Sequence, residues 1–251
     1  GTRQLLKRLY EMLRKREPYG SIRMKIDGPM LAPLIGFCET VTAGDVLERK
    51  FSTQQPNAYQ HLTLDAYRAQ FLGTNFGPYC WWRPPNTLAF KGELAEGKAI
   101  SDLYADVDRE SRWLAGIALV HHSPVWQDLI PGNWSGIRKA VDDYGIDQAN
   151  WFFKGYWEKP PVKLHKEQDG LVVSAYVVED REAAISDHRA LLVIFNNSDW
   201  TGEVTLTPDW KVLKLDAGSI VENALTGEKI TSNGPITISV KARDVTLVGL
   251  R

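Results

Sequence analysis

Carboxylates carry the most chemical potential in this sequence, and several fall where the chain changes direction. Asp27 directly follows the alternating stretch Ile22-Arg23-Met24-Lys25-Ile26 and precedes Gly28-Pro29, while Glu39 and Asp45 lie in the loop after it. Cleaving a glycosidic bond takes two such groups, one to protonate the departing oxygen and one to attack carbon or activate water. An Asp at a strand end also serves as a turn former or helix cap, and spacing alone does not separate these roles. Aromatic residues add to the same chemistry. Seven of the nine tryptophans fall in one stretch: Trp81, Trp82, Trp113, Trp126, Trp134, Trp151 and Trp157. A flat ring stacks on the C–H face of a sugar while polar neighbours meet its hydroxyls, although most such rings are expected in packing. Trp81-Trp82-Arg83 is the best-placed set, because it closes an apparent strand just before Pro84-Pro85.

Other motifs lead elsewhere. Gly92-Glu93-Leu94-Ala95-Glu96-Gly97-Lys98-Ala99 spells a phosphate-binding loop except at its last position, where Ala99 replaces the Ser or Thr that holds magnesium. Glu93 and Glu96 would repel an anionic ligand, so the stretch reads as a surface turn. There is no Gly-x-Ser-x-Gly nucleophile elbow. His121-His122 is the sole histidine pair, and neighbours on a strand project to opposite faces, which suits an ordinary buried or ligand-binding histidine better than a metal ligand. Two cysteines, Cys38 and Cys80, are too few for a disulfide framework or a four-cysteine zinc site, and core packing is the default for a free thiol. None of these motifs requires a cofactor.

These residues must be positioned by a chain of 251 residues with 30 basic and 31 acidic side chains. A net charge of −1 argues against a general nucleic-acid binder, which would be basic over a whole face. No stretch approaches the roughly 18 consecutive apolar residues of a membrane span. Composition likewise excludes collagen, coiled coil and disorder. The length allows one large domain or two smaller ones. The chain begins at Gly1, so the leader of an exported parent is expected upstream.

Two periodicities divide the sequence. Up to about residue 150, helical patterns alternate with short apolar runs. Leu5, Leu6, Leu9, Met12 and Leu13 recur at helical spacing within a stretch, Arg3 to Lys25, that holds eight basic residues. Such a helix could lie on a membrane or grip phosphate, but a surface helix burying its leucine stripe on a sheet is the expectation. Strands are expected at Ile22–Ile26, Phe76–Trp82 and Ile117–His121. Helices are expected after Thr63, over Asp102–Trp113, and around Trp134, Ile137 and Val141. This alternation predicts parallel β/α units with crossovers. From about residue 160 the pattern becomes closely spaced strands: Leu171–Val178, Ala190–Asn196, Glu203–Leu206, Val212–Leu215, Ile236–Val240 and Val245–Leu250. Turn residues separate them, and an antiparallel sandwich is expected. The boundary falls at Lys159-Pro160-Pro161, giving domains 1–159 and 160–251, with Trp151, Phe152, Phe153 and Trp157 packing at the junction.

Three stretches carry a family resemblance: Leu191-Leu192-Val193-Ile194-Phe195-Asn196-Asn197-Ser198, Ala224-Leu225-Thr226-Gly227-Glu228, and Ala242-Arg243-Asp244-Val245-Thr246-Leu247-Val248. They resemble the C-terminal β-sandwich of α-galactosidase-like barrel glycosidases. Pro33–Phe37, Phe71–Trp82 and Val120–Trp126 look like the closing strands of a barrel in glycoside-hydrolase-like proteins. The resemblance implies an α/β plus all-β protein, a partial (β/α) TIM-like barrel followed by an antiparallel β-sandwich. A whole barrel takes about 250 residues and eight strands, and only about three strand–helix units precede the sandwich. The family's nucleophile, on the fourth strand, is then missing from this chain. Asp27 falls where such enzymes keep the acid/base if Ile22–Ile26 is the sixth strand. Trp81 or Trp82 would stack on the sugar, and Glu39, Arg83 and His121 would contact substrate, Arg83 and His121 by bonding hydroxyls or steadying a carboxylate. The implied partner is carbohydrate, with neither nucleic acid nor membrane. An upstream fragment or a second copy would complete the barrel, since open parallel sheets leave edges to be covered. Localisation is not legible in the residues themselves; the resemblance implies a secreted or periplasmic protein. The rival expectation is a non-catalytic carbohydrate-binding or interaction protein without the first half of the barrel.

Overall fold

The structure is a computed structural model that describes residues 2–19, 23–25, 36–38, 40–43, 62–71, 79–82, 107–123, 132–146, 150–159, 161–179, 187–215, 220–230 and 234–251. The chain divides into two compact units, Gly1–Ala105 with Ser123–Ile130, and Asp106–His122 with Pro131–Arg251.

In the first unit, helix α1 (Thr2–Arg16) ends in Arg14, Lys15 and Arg16, whose charges complement the negative end of the helix dipole. Its expected burial is not what the structure has. Leu5, Leu9, Met12 and Leu13 are between 40% and 59% exposed. The half-buried line instead runs through Leu6, Tyr10 and Arg14, with Tyr10 packed on Phe37 at 6.2 Å between ring centroids. Strands β1 (Arg23–Lys25), β2 (Thr40–Ala43) and β3 (Tyr79–Trp82) form a three-stranded parallel sheet in that order. Met24 pairs with Val41, and Val41 with Cys80. Parallel neighbours need a long crossover, and helix α2 (Leu64–Phe71) lies in the one between β2 and β3. Thr63 caps it as its sequence position predicts: the hydroxyl oxygen accepts the Ala66 N–H at 3.1 Å.

The second unit contains two antiparallel sheets. Its strands are β4 (Trp151–Lys154), β5 (Val162–Leu164), β6 (Leu171–Val178), β7 (Ala190–Asn196), β8 (Gly202–Pro208), β9 (Val221–Asn223), β10 (Lys229–Ile230), β11 (Ile236–Val240) and β12 (Asp244–Leu250). One sheet has the order β10-β9-β12-β7-β6-β4, the other β11-β8-β5. They share an apolar core. Leu171, Val173, Ala175 and Val177 alternate along β6 to meet Val204, Leu206, Ile236, Ile238 and Val240 from the smaller sheet. Each buried Leu, Ile or Val among them contributes about 1.5–3 kcal/mol by leaving water.

The opposite face of the large sheet is covered by helix α3 (Val107–Val120), which packs on β12, β7 and β6. For that reason every residue of β7 is buried and its first six, Ala190 to Phe195, are apolar without alternation. Gly116 is the point of closest approach: a Cβ there would sit 2.7 Å from the Phe195 ring and 2.8 Å from Val245 Cβ. Helix α4 (Ser135–Tyr144) stops at Gly145, whose left-handed φ of 63° lets its N–H reach the carbonyls of Val141 and Asp142.

Several expectations are corrected here. Ile117–His121 is the end of α3 and the turn after it, not a strand; a short apolar run reads the same either way, and burial on a sheet face decides for helix. Val212–Leu215 is a turn, because the Asp209 carboxylate accepts the Val212 N–H at 3.0 Å and its carbonyl accepts the Leu213 N–H at 2.9 Å. Phe152 faces outward, 46% exposed, while its neighbour Phe153 packs against Tyr176 at 5.1 Å. The second compact unit, Asp106–His122 with Pro131–Arg251, takes in α3 and β4 together with the strands from β5 onward.

Candidate functional site

The parallel sheet brings the C-terminal ends of its strands to one edge. Lys25, Thr42 and Trp81 share a register row, and Ala43 pairs with Trp82 in the next. In parallel β/α folds chemistry gathers at this edge, because the loops that leave it converge. Trp81 and Trp82 are the last two residues of β3. Asp27, Glu39 and Arg83 lie outside the described residues, as does Asp45. Thr40, the residue after Glu39, opens β2 at the opposite edge. Cys38 is buried, and burial pushes its thiol pKa up, which suits packing rather than nucleophilic attack.

His121 has a different setting from the one expected. It is fully buried. Its Nδ1 lies 2.7 Å from the Ile117 carbonyl, which can only accept, so Nδ1 carries the proton and Nε2 receives the Tyr156 hydroxyl at 3.1 Å. The ring stacks on Trp157 at 5.7 Å. Hydrogen bonding to a sugar needs an exposed ring nitrogen, and both nitrogens of His121 are engaged inside the unit. His122 holds a left-handed φ of 51° and stacks on Phe153 at 5.1 Å. Beside it the Tyr176 hydroxyl donates to the Leu119 carbonyl at 3.1 Å and the Ser174 hydroxyl to the Val120 carbonyl at 2.7 Å. The last carbonyls of α3 are thus satisfied by these side chains together with the His121 and His122 N–H groups, which reach the Ala118 and Leu119 carbonyls at 3.3 and 3.1 Å. The histidine pair terminates the helix.

The sequence reading passed over a cluster of four titratable residues from four places in the chain. Glu222 on β9 is 5% exposed. It accepts from the Tyr144 hydroxyl at 2.9 Å and from Arg251 Nη2 at 2.7 and 2.8 Å, and its Oε1 lies 3.3 Å from His188 Nε2. The Tyr144 and His188 rings stack at 3.9 Å. Burial alone would raise the pKa of Glu222, but the hydrogen bonds from Arg251 and Tyr144 and the Arg251 charge hold it below the usual carboxylate range. Burial lowers that of His188, with the Arg251 charge acting in the same direction. A general acid needs the reverse, a carboxyl kept protonated at neutral pH. Glu222 therefore locks elements together and is poorly suited to proton donation. Its partners are 78, 34 and 29 residues away, so no sequence spacing announces it.

The residues that carry the family resemblance form a second lock. The Asn196 carboxamide oxygen accepts from the N–H and hydroxyl of Ser198, and its amide donates to the carbonyls of Trp200 and Lys241. Arg243 bonds the Asn197 carbonyl at 2.6 Å and the Asp199 carboxylate at 3.0 Å. Trp113 and Arg112 of α3 reach Asn197 and Asp244, each at 2.7 Å. Two turns and the helix are pinned by these polar contacts. Among the described residues, no group of three His, Cys, Asp or Glu side chains could hold a metal ion.

No protein-family model matches the chain, and no curated protein matches it in sequence. In structure it is similar to an α-amylase from Anoxybacillus, with 10% identity and a TM-score of 0.51 over 99% of this chain and 56% of that one. It is also similar to the α-amylase of Geobacillus thermoleovorans, described in complex with acarbose, with 9% identity and a TM-score of 0.51 over 99% of this chain and 57% of that one. The likeness is one of fold, and the fold is glycoside-hydrolase-like. The chain spans a little over half the length of each.

Proposed function

We propose that this chain is the C-terminal portion of a glycoside hydrolase, in which the first unit supplies closing strands of a (β/α) barrel and the second an antiparallel sandwich. The parent cleaves glycosidic bonds of a carbohydrate. Asp27 protonates the leaving oxygen, Trp81 or Trp82 stacks on the sugar, and Arg83 bonds its hydroxyls; Glu39, expected to contact substrate, precedes the opposite end of β2 and is left out of this site. The observation that carries this reading is the likeness in fold to two α-amylases over 99% of the chain. The common edge at which β1, β2 and β3 end supports the placement of the chemistry.

Protonation matters because an alkoxide is a poor leaving group, and an acid at the right distance removes that charge in the transition state. A carboxyl near apolar walls would have its pKa raised and so keep the proton at neutral pH. The second half of the reaction needs a carboxylate from the part of the barrel this chain does not hold, so the chain alone is expected to be a poor catalyst. Turnover tests this. The parent polypeptide should hydrolyse glycosides, and this chain by itself should not. A monomer of this chain that cleaves a chromogenic glycoside would refute the incomplete-barrel reading. A parent that binds oligosaccharide without turnover would make the protein a carbohydrate-binding one instead.

A further inference from the structure

We propose that α1 docks on an anionic lipid bilayer, lying in the headgroup layer with its leucine stripe against the acyl chains. The starting observation is a burial pattern opposite to the one expected. Leu5, Leu9, Met12 and Leu13 follow the spacing i, i+4, i+7, i+8 and fill an arc of about 100° on one side of the helix. All four are between 40% and 59% exposed. The helix is attached to its own unit along a different line, Leu6, Tyr10 and Arg14. Tyr10 packs on Phe37, and Arg14 donates to the Tyr10 hydroxyl at 3.4 Å and to the Pro18 carbonyl at 3.1 Å. The apolar stripe is therefore a second face, held outward by the first.

Charge selects the occupant. The helix carries six basic side chains against one acidic, Glu11, in a chain whose net charge is −1. Lys7 pairs with Glu11 at 3.7 Å, whereas Arg3, Arg8, Lys15 and Arg16 are exposed and form no ion pair among the described residues. Helical geometry sets Arg8 and Lys15 along the border of the stripe away from Leu6 and Tyr10, and Arg16 within its arc at the last turn. Such a side chain keeps its methylene stem on the apolar layer and raises its charge to the lipid phosphates. An apolar arc with basic flanks is the composition of an interfacial helix. Tyr19, three residues past α1 and fully exposed, adds an amphipathic ring of the kind that sits at headgroup level. No helix among the described residues is long and apolar enough to cross a membrane, so the contact is superficial. A second copy of α1 fits less well, because the seam would set two basic helices against each other. A groove on another protein would need a carboxylate fixed opposite Arg16 in the stripe, which a fluid anionic surface supplies at any position. This partner departs from what the family resemblance implies.

The experiment is flotation of the whole chain with vesicles of phosphatidylcholine alone and of equimolar phosphatidylcholine and phosphatidylglycerol. The chain should float with the anionic vesicles and stay behind with the neutral ones. Raising NaCl from about 0.1 M to about 1 M shortens the screening length from about 10 Å to about 3 Å and should release most of it. The triple variant Leu5→Gln/Leu9→Gln/Met12→Gln should weaken binding to the anionic vesicles about tenfold or more. It should keep its Tm, since the three side chains are exposed and Gln is a good helix former. Arg8→Gln/Lys15→Gln should weaken binding about 25-fold, at about fivefold for each basic residue near an anionic surface. Failure to float with anionic vesicles, equal flotation with neutral ones, or full binding by either variant would overturn the proposal. So would a dimer that the triple variant abolishes in a chain that binds no vesicles, because the stripe would then be a contact between copies. The proposed glycosidic cleavage uses none of these residues, so the two readings fail independently.

Discussion

Glu222 is held ionised by Arg251 and Tyr144, so its charge, as much as its packing, ties α4 and the chain's last residue to β9. Replacing it by Gln leaves Arg251, itself 40% exposed, without its partner; after allowance for solvent screening, Glu222→Gln should cost about 2 kcal/mol in chemical denaturation. The cluster also fixes a pH profile. Glu222 and His188 both have depressed folded-state pKa values, so each stabilises above its ordinary value, 4.5 and 6.5, and that contribution is lost as pH falls. Tyr144 is pushed up from 10.0, so its contribution is lost as pH rises through that value. Calorimetry should give a plateau in Tm from about pH 7 to about pH 9, with decline on both sides. His188→Gln should flatten the decline between about pH 7 and pH 5; an unchanged acid limb would mean that the His188 pKa is the same in the folded and unfolded chain. Sequence could mark Asp27 as a candidate because a strand end is a local feature. It could not mark Glu222, whose partners are assembled by the sheet.

At the level of elements, α3 is the most informative case. Its central run Trp113-Leu114-Ala115-Gly116-Ile117-Ala118-Leu119-Val120 lacks the polar face of a surface helix, because the large sheet and its neighbours bury nearly every position. Periodicity is a signal only where one face meets water, so the second half of this helix read as a strand. Strands β6, β7 and β12 were legible because length and bounding turns mark them, whereas β9 and β10, three and two residues long, leave no pattern. Gly116 yields a test in which two effects oppose. Helix propensity alone would make Gly116→Ala stabilising by about 1 kcal/mol. A methyl group at 2.7 Å from the Phe195 ring must instead displace the helix or the ring, at about 1–3 kcal/mol. The variant should lower Tm. A rise would mean that α3 is free to shift on the sheet.

For the whole molecule, composition shift and proline placed the boundary near residue 160, but covering a sheet on both faces draws in residues from before it. A fragment of residues 106–251 should unfold in one cooperative transition. A fragment of residues 160–251 lacks α3 and β4, would expose Leu191, Val193, Phe195 and Leu247, all fully buried in the chain, and should aggregate. A soluble, cooperatively folded 160–251 fragment would contradict the role given to α3. The glycosidase reading also belongs to this scale, since it depends on a barrel larger than the strands described. Its most direct test is the leaving-group dependence of Asp27→Asn in the parent polypeptide. Turnover of a natural glycoside should fall by about 10²-fold or more, the scale of general-acid loss. Turnover of an aryl glycoside with an activated leaving group should fall far less, because that oxygen departs without a proton. Unchanged turnover of the natural substrate together with a lowered Tm would show Asp27 to be a turn former and would contradict its assignment as the acid.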